Sequence, residues 1–135
     1  MIPVLRVRPG VHFDRIAPGG FRLLAALDGA TKVIGMDLWI TCGTEAHASR
    51  DPHTSGEAYD CSVKDMTVPL IIKAHRHLQQ VLGERFAVLY EVPTLPEDRA
   101  LAAIAFVNAE ATGPHFHLQR RKGTVYPPAV LEPSA

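Results

Sequence analysis

Cysteine occurs only twice in this 135-residue chain, at Cys42 and Cys61, and aromatic residues make up only 7%, with a single tryptophan. Two thiols cannot build a disulfide framework, and no Cys-x-x-Cys pair exists to form a zinc knuckle. No apolar stretch reaches the length of a membrane span. An excess of either charge is also missing. The 14 Lys and Arg offset the 14 Asp and Glu, which argues against a broad nucleic-acid footprint. The one dense basic run, Arg120-Arg121-Lys122, reads as a solvated strand end. No repeat, low-complexity segment or linker divides the sequence. The start, MIPVLRVRPG, lacks a charged head before an apolar run, so no secretory signal is visible and cytoplasmic synthesis is expected.

What remains is ordinary globular composition, with 47% apolar and 21% charged residues. At this length one domain spanning residues 1–135 is expected, large enough to build its own core. Seven histidines against one tryptophan is the compositional oddity.

Residues 4–8 alternate apolar and basic, which predicts a short edge strand. Phe21, Leu23, Leu24 and Leu27 follow Pro18-Gly19-Gly20 at helical spacing, so a first helix is expected over about 19–30. Residues 36–42 and 58–63 read as strands. Residues 65–82 read as an amphipathic helix stopped by Gly83, with Asp65 and Thr67 as its expected caps. The run FAVLYE at 86–91 predicts a central strand. Residues 96–111 are Ala-rich and read as a helix of about four turns, a candidate rim for any nearby cleft. HFHLQR at 115–120 returns to period two. This order predicts an α+β fold, a small antiparallel sheet with helices packed on one side.

Two local patterns carry chemistry. His53 and Asp60 flank a Gly-containing turn, and His115-Phe116-His117 lies in a strand pattern. Residues i and i+2 of a strand share a face, so both imidazoles look into one space. His53, Asp60 and one of these histidines would give three ligands of suitable hardness for Zn²⁺, with a fourth position left for water, as in catalytic zinc sites. The remaining candidates have blander readings. His75 and His77 diverge around a helix and read as solvated or half-buried. His12 reads as structural and Gly56 as a backbone-geometry residue. Tyr59 and Tyr90 should face the core, and Cys42 and Cys61 read as reduced buried thiols, with a disulfide between them as the alternative.

The run from Glu45 to Asp65, with His47, His53, Gly56, Ala58 and Asp60, resembles the zinc motif shared by D-Ala-D-Ala carboxypeptidases, L-alanyl-D-glutamate endolysins and the hedgehog signalling domain. RFAVLYE and HFHLQ downstream are similar to the family's acid-bearing strand and its His-x-His strand. The resemblance covers about residues 36–120. It implies the hedgehog/DD-peptidase fold and zinc ligation by His53, Asp60 and His117. It places His115 and His47 beside the metal, to hydrogen-bond substrate or the developing oxyanion. Glu91 matches the general base of the hedgehog-like pattern, although 23 residues separate it from His115 and Pro114 stands where many peptidases carry the acid. Glu110 is a rival for that role. The implied activity is zinc-dependent hydrolysis of an amide in peptidoglycan stem peptides, of D-Ala-D-Ala carboxypeptidase or L-Ala-D-Glu endopeptidase type, with release to the cell wall. The alternative is a zinc-binding module of the same fold without peptidase activity.

Overall fold

The computed structural model describes residues 2–44 and 56–121. Its elements run β1 (Leu5–Val7), α1 (Pro18–Ile34), β2 (Leu38–Cys42), β3 (Ala58–Ser62), α2 (Val68–Leu82), β4 (Phe86–Val92), α3 (Arg99–Ile104), β5 (Ala105–Val107) and β6 (His115–Arg120). The fold is α+β, with a six-stranded sheet in the order β1-β2-β3-β6-β4-β5.

The sheet is mixed, which corrects the expected antiparallel one. β1 pairs parallel to β2 and β4 parallel to β5, while β2-β3, β3-β6 and β6-β4 are antiparallel. The reason is connectivity. A helix lies between the strands of each parallel pair, α1 in the first and α3 in the second, and a crossover of this kind returns the chain in its original direction. The expected helix over 96–111 is also corrected. Asp98 caps it, accepting from the Leu101 amide at 3.0 Å, but it ends at Ile104. Ala105-Phe106-Val107 then pairs with β4, and the Asn108 amide donates to the Val92 carbonyl at 2.8 Å. Sheet-edge hydrogen bonds and β-favouring Phe and Val override the helix propensity of the alanines before them.

α1 buries Leu23, Ala26, Leu27, Ala30 and Ile34, a stripe at helical spacing. α2 buries Ile71, Ala74, His75 and Leu78 in the same way. Both helices pack on one face of the sheet, against Leu38, Ile40, Tyr59, Cys61, Val88, Tyr90, Phe116 and Leu118. Tyr59 and Tyr90 therefore face the core, as their strand parity requires. Burial pushes the Tyr59 hydroxyl up to about 12 and the Cys61 thiol up to about 12, so that thiol is inert. Neither cysteine is in a disulfide, and only Cys61 is fully buried. Thr67 caps α2, accepting from the Leu70 amide at 3.4 Å, whereas Asp65 sits in the turn before it with φ 67°.

His75 corrects its solvated or half-buried reading. It is buried, its Nε2 lies 3.1 Å from the Val88 carbonyl oxygen, and its ring stacks on Phe116. Burial holds its pKa below the ordinary value, so it is carried in the core as a neutral, hydrogen-bonded ring.

The start of β3 is fixed by a close approach of two backbones. Gly56 has φ 77°, and a Cβ on Gly20 of α1 would overlap its carbonyl oxygen. The buried Tyr59 hydroxyl donates to that same oxygen at 3.4 Å. Gly20→Ala should therefore destabilise by about 1–3 kcal/mol or more, the range for overpacking, and toward its upper end because the neighbour is backbone. Gly29→Ala in the same helix meets only the His77 ring, at 3.8 Å, and should stabilise by about 0.5–1 kcal/mol. Thermal melts of the two variants side by side check both signs.

Candidate functional site

Strand parity decides the site. On β6, Phe116 and Leu118 point into the core, so His115, His117 and Gln119 project from the opposite face of the sheet. On β3, Tyr59 and Cys61 are buried, which puts Asp60 and Ser62 on that same open face. On β4, Val88, Tyr90 and Val92 are buried, leaving Leu89 and Glu91 there. β6 lies between β3 and β4, and the register sets Ser62, His115 and Glu91 in one row across the sheet. Asp60, His117 and Leu89 form the next row.

The side chains meet accordingly. His117 Nδ1 lies 2.8 Å from Asp60 Oδ1, and its Nε2 lies 2.7 Å from Gln119 Oε1. His115 Nε2 lies 2.9 Å from Glu91 Oε1 and 3.8 Å from Asp60 Oδ1, while its Nδ1 lies 3.0 Å from the Gly113 carbonyl oxygen. Asp60, Glu91, His115 and His117 are between 14% and 20% exposed, shielded yet open to a small ligand. Both contacts of His117 are acceptors. Burial works against its charged form, but hydrogen bonds to Asp60 and Gln119, with the charges of Asp60 and Glu91, hold its pKa above the ordinary value.

The chain matches no family model, no curated protein and no solved structure.

Of the residues expected at the site, the structure brings Asp60, Glu91, His115 and His117 together. His47 and His53 lie outside the described residues. Glu110 is exposed in the turn after β5, where its amide donates to Asn108 Oδ1 at 3.0 Å, whereas Glu91 stands directly beside His115. Gln119 closes the HFHLQ motif. Its period-two relation to His117 was the signal that it shares the face.

Among the described residues no group of three His, Cys, Asp or Glu side chains is arranged to hold a metal ion. Asp60 and His117 do fit as two of three ligands. Zn–N and Zn–O bonds of about 2.0–2.2 Å in a tetrahedron place neighbouring donors roughly 3.3 Å apart, so the 2.8 Å pair needs to open only slightly. The second ring nitrogen of His117 already has an oriented acceptor in Gln119, the arrangement that fixes the ring of a metal-ligating histidine.

Two further contacts hold the frame. Arg120 pairs in a bidentate manner with Glu57 at the start of β3, with Nη2 3.0 Å from Oε1, clamping β6 to β3 below the site. The buried Thr44 hydroxyl accepts from the Asp14 amide at 2.9 Å, and the Thr44 amide donates to the His12 carbonyl at 2.8 Å. These bonds anchor the end of β2 just before residues 45–55, which bear His47 and His53.

Proposed function

We propose that the chain is a zinc metallopeptidase of the hedgehog/DD-peptidase kind, hydrolysing an amide bond in peptidoglycan stem peptides. The observation that supports this reading is the meeting of Asp60, Glu91, His115 and His117, from three strands, in one shielded patch on the open face of the sheet. His53, Asp60 and His117 would hold the metal. When bound, zinc supplies Lewis acidity toward a substrate carbonyl and toward water.

The chain's own residues do the rest. Glu91 is placed to take the proton of the attacking water and to pass it to the departing amine. His115 orients that carboxylate through the 2.9 Å contact of Nε2 with Oε1. Once Glu91 has gained the proton, its hold on the imidazole N–H weakens. The donor then turns to the oxyanion that forms at the same moment, so stabilisation appears where charge develops. His47 is proposed as a second donor. Gln119 keeps the His117 ring in place, and the Arg120–Glu57 clamp keeps β3 in register with β6.

The test is mass spectrometry of purified muropeptides incubated with the protein, with and without chelator. A new cleavage product that chelator abolishes and added zinc restores is the expected result. Zinc retention with intact muropeptides would leave the non-catalytic module, and no zinc retention would sink both readings.

A further inference from the structure

We propose that the groove on the open face over β1 to β3 is a subsite for an extended peptide bearing a carboxylate, bound by Arg8 and Lys64 along Trp39. The inference rests on the peptidase reading for its substrate class, but the groove is argued from its own geometry. β2 buries Leu38 and Ile40, so Trp39 and Thr41 project from the same face as Asp60 and Ser62. Arg6 is the register partner of Trp39, and Arg8 follows on the same side of the chain. The open face thus reads, from its β1 edge inward, as basic, aromatic, hydroxyl and then the His115–Glu91 pair.

Between these side chains lies a cavity of about 440 Å³ lined by Arg8, Trp39, Thr41, Ser62 and Lys64 among others. A second, of about 310 Å³, shares Trp39 and Lys64 and continues toward Gly35. Ser62, on the wall of the first cavity, is the register partner of His115, so that wall lies one strand from the candidate site. The two cavities share Asp37, Trp39, Lys64 and Asp65, so they adjoin along the strands, a path that an extended chain can follow.

Charge selects what that chain carries. Of the two carboxylates on the groove walls, Asp37 is bound by Arg6 at 2.6 Å. Asp65 is the other, set against the two cations Arg8 and Lys64. Arg8 is held in place, its Nη2 donating to the Thr41 carbonyl at 3.1 Å, while Lys64 is exposed. The balance favours an anion. Trp39 is 42% exposed, with the Arg6 guanidinium 5.7 Å from its ring centroid, and offers a flat apolar surface beside that charge. A stem peptide with a free γ-linked D-glutamate has both features, an extended backbone and an α-carboxylate.

Trp39 is the only tryptophan, so its emission reports the groove directly. The experiment titrates metal-free protein with L-Ala-γ-D-Glu-L-Lys, and with the form whose α-carboxylate is an amide, following Trp39 fluorescence. The acid should bind about tenfold tighter than the amide, the scale of one charge-assisted contact. Lys64→Gln and Arg8→Gln should each reduce that preference, with circular dichroism confirming the fold of both. Equal affinity for acid and amide, or a preference that survives both substitutions, would overturn the proposal. Acid-selective binding without muropeptide cleavage would support the groove while the peptidase reading fails. Cleavage without selectivity would reject the groove alone.

Discussion

Glu91→Gln should retain zinc and fold while losing muropeptide hydrolysis by about 10²–10⁴-fold, the range for a positioned general base. The substitution keeps the shape and the hydrogen-bonding oxygen that faces His115 at 2.9 Å, so the ring stays where it is. What is removed is the ability to take and return a proton. The loss should fall on kcat, because a group that acts only as bonds are breaking contributes little to ground-state binding. Zinc content by elemental analysis and melting temperature should match the parent protein. Glu110→Gln is the control: it lies in an exposed turn and should leave the rate within a factor of a few. The reverse pattern, with Glu110→Gln inactive and Glu91→Gln active, would reassign the base.

That Glu91 and His115 touch could not be read from their separation along the chain. The 23 intervening residues run out to the edge of the sheet and back. They form α3 and β5 at the far edge of the sheet before β6 returns into the slot between β3 and β4. Pattern alone located both strands, since FAVLYE and HFHLQR have the right composition and period. Strand order and register are set by packing, and those carry the pairing. The excursion also replaces a helix at the rim with β5, whose Phe106 is the register partner of Glu91 and is exposed beside it.

Other features were legible in part. The stripe Ile71, Ala74, His75, Leu78 places His75 on the buried face by spacing, and only its residue type argued for solvent. The parallel edge pairs follow from helices lying between their strands, a connectivity signal present in the sequence but subordinate to the period-two patterns of the central strands. The Gly20–Gly56 approach was invisible, because nothing local to either glycine names the other. The groove around Trp39 was missed for a related reason. Arg8, Trp39 and Lys64 lie on three separate segments, and only the register brings them to one face.

Asp60→Asn and His117→Ala should each strip the protein of zinc. The hydrogen-bond partners of metal ligands are alone worth about 10–100-fold in metal affinity, so removing a ligand should weaken binding by more than that. Asparagine keeps the shape of Asp60 but removes its negative charge, and alanine removes the ring nitrogens of His117 entirely. Under the proposed ligation zinc binds only the native chain, so the stabilisation expected of it in the parent protein should vanish with it, read as the loss of a zinc-dependent rise in melting temperature. The pH dependence has a definite sign. Without metal, and against the opposing effect of burial, the hydrogen bonds to Asp60 and Gln119 hold the pKa of His117 above the ordinary value of 6.5. Zinc must displace the proton of the charged ring. Affinity should therefore fall as pH drops through the raised value, and binding below that value should release a proton measurable by calorimetry in buffers of different ionisation enthalpy. In His117→Ala this titration disappears along with the zinc. Full metal content in the Asp60→Asn, His117→Ala double variant would place the ion elsewhere on the chain and dismantle the centre proposed here.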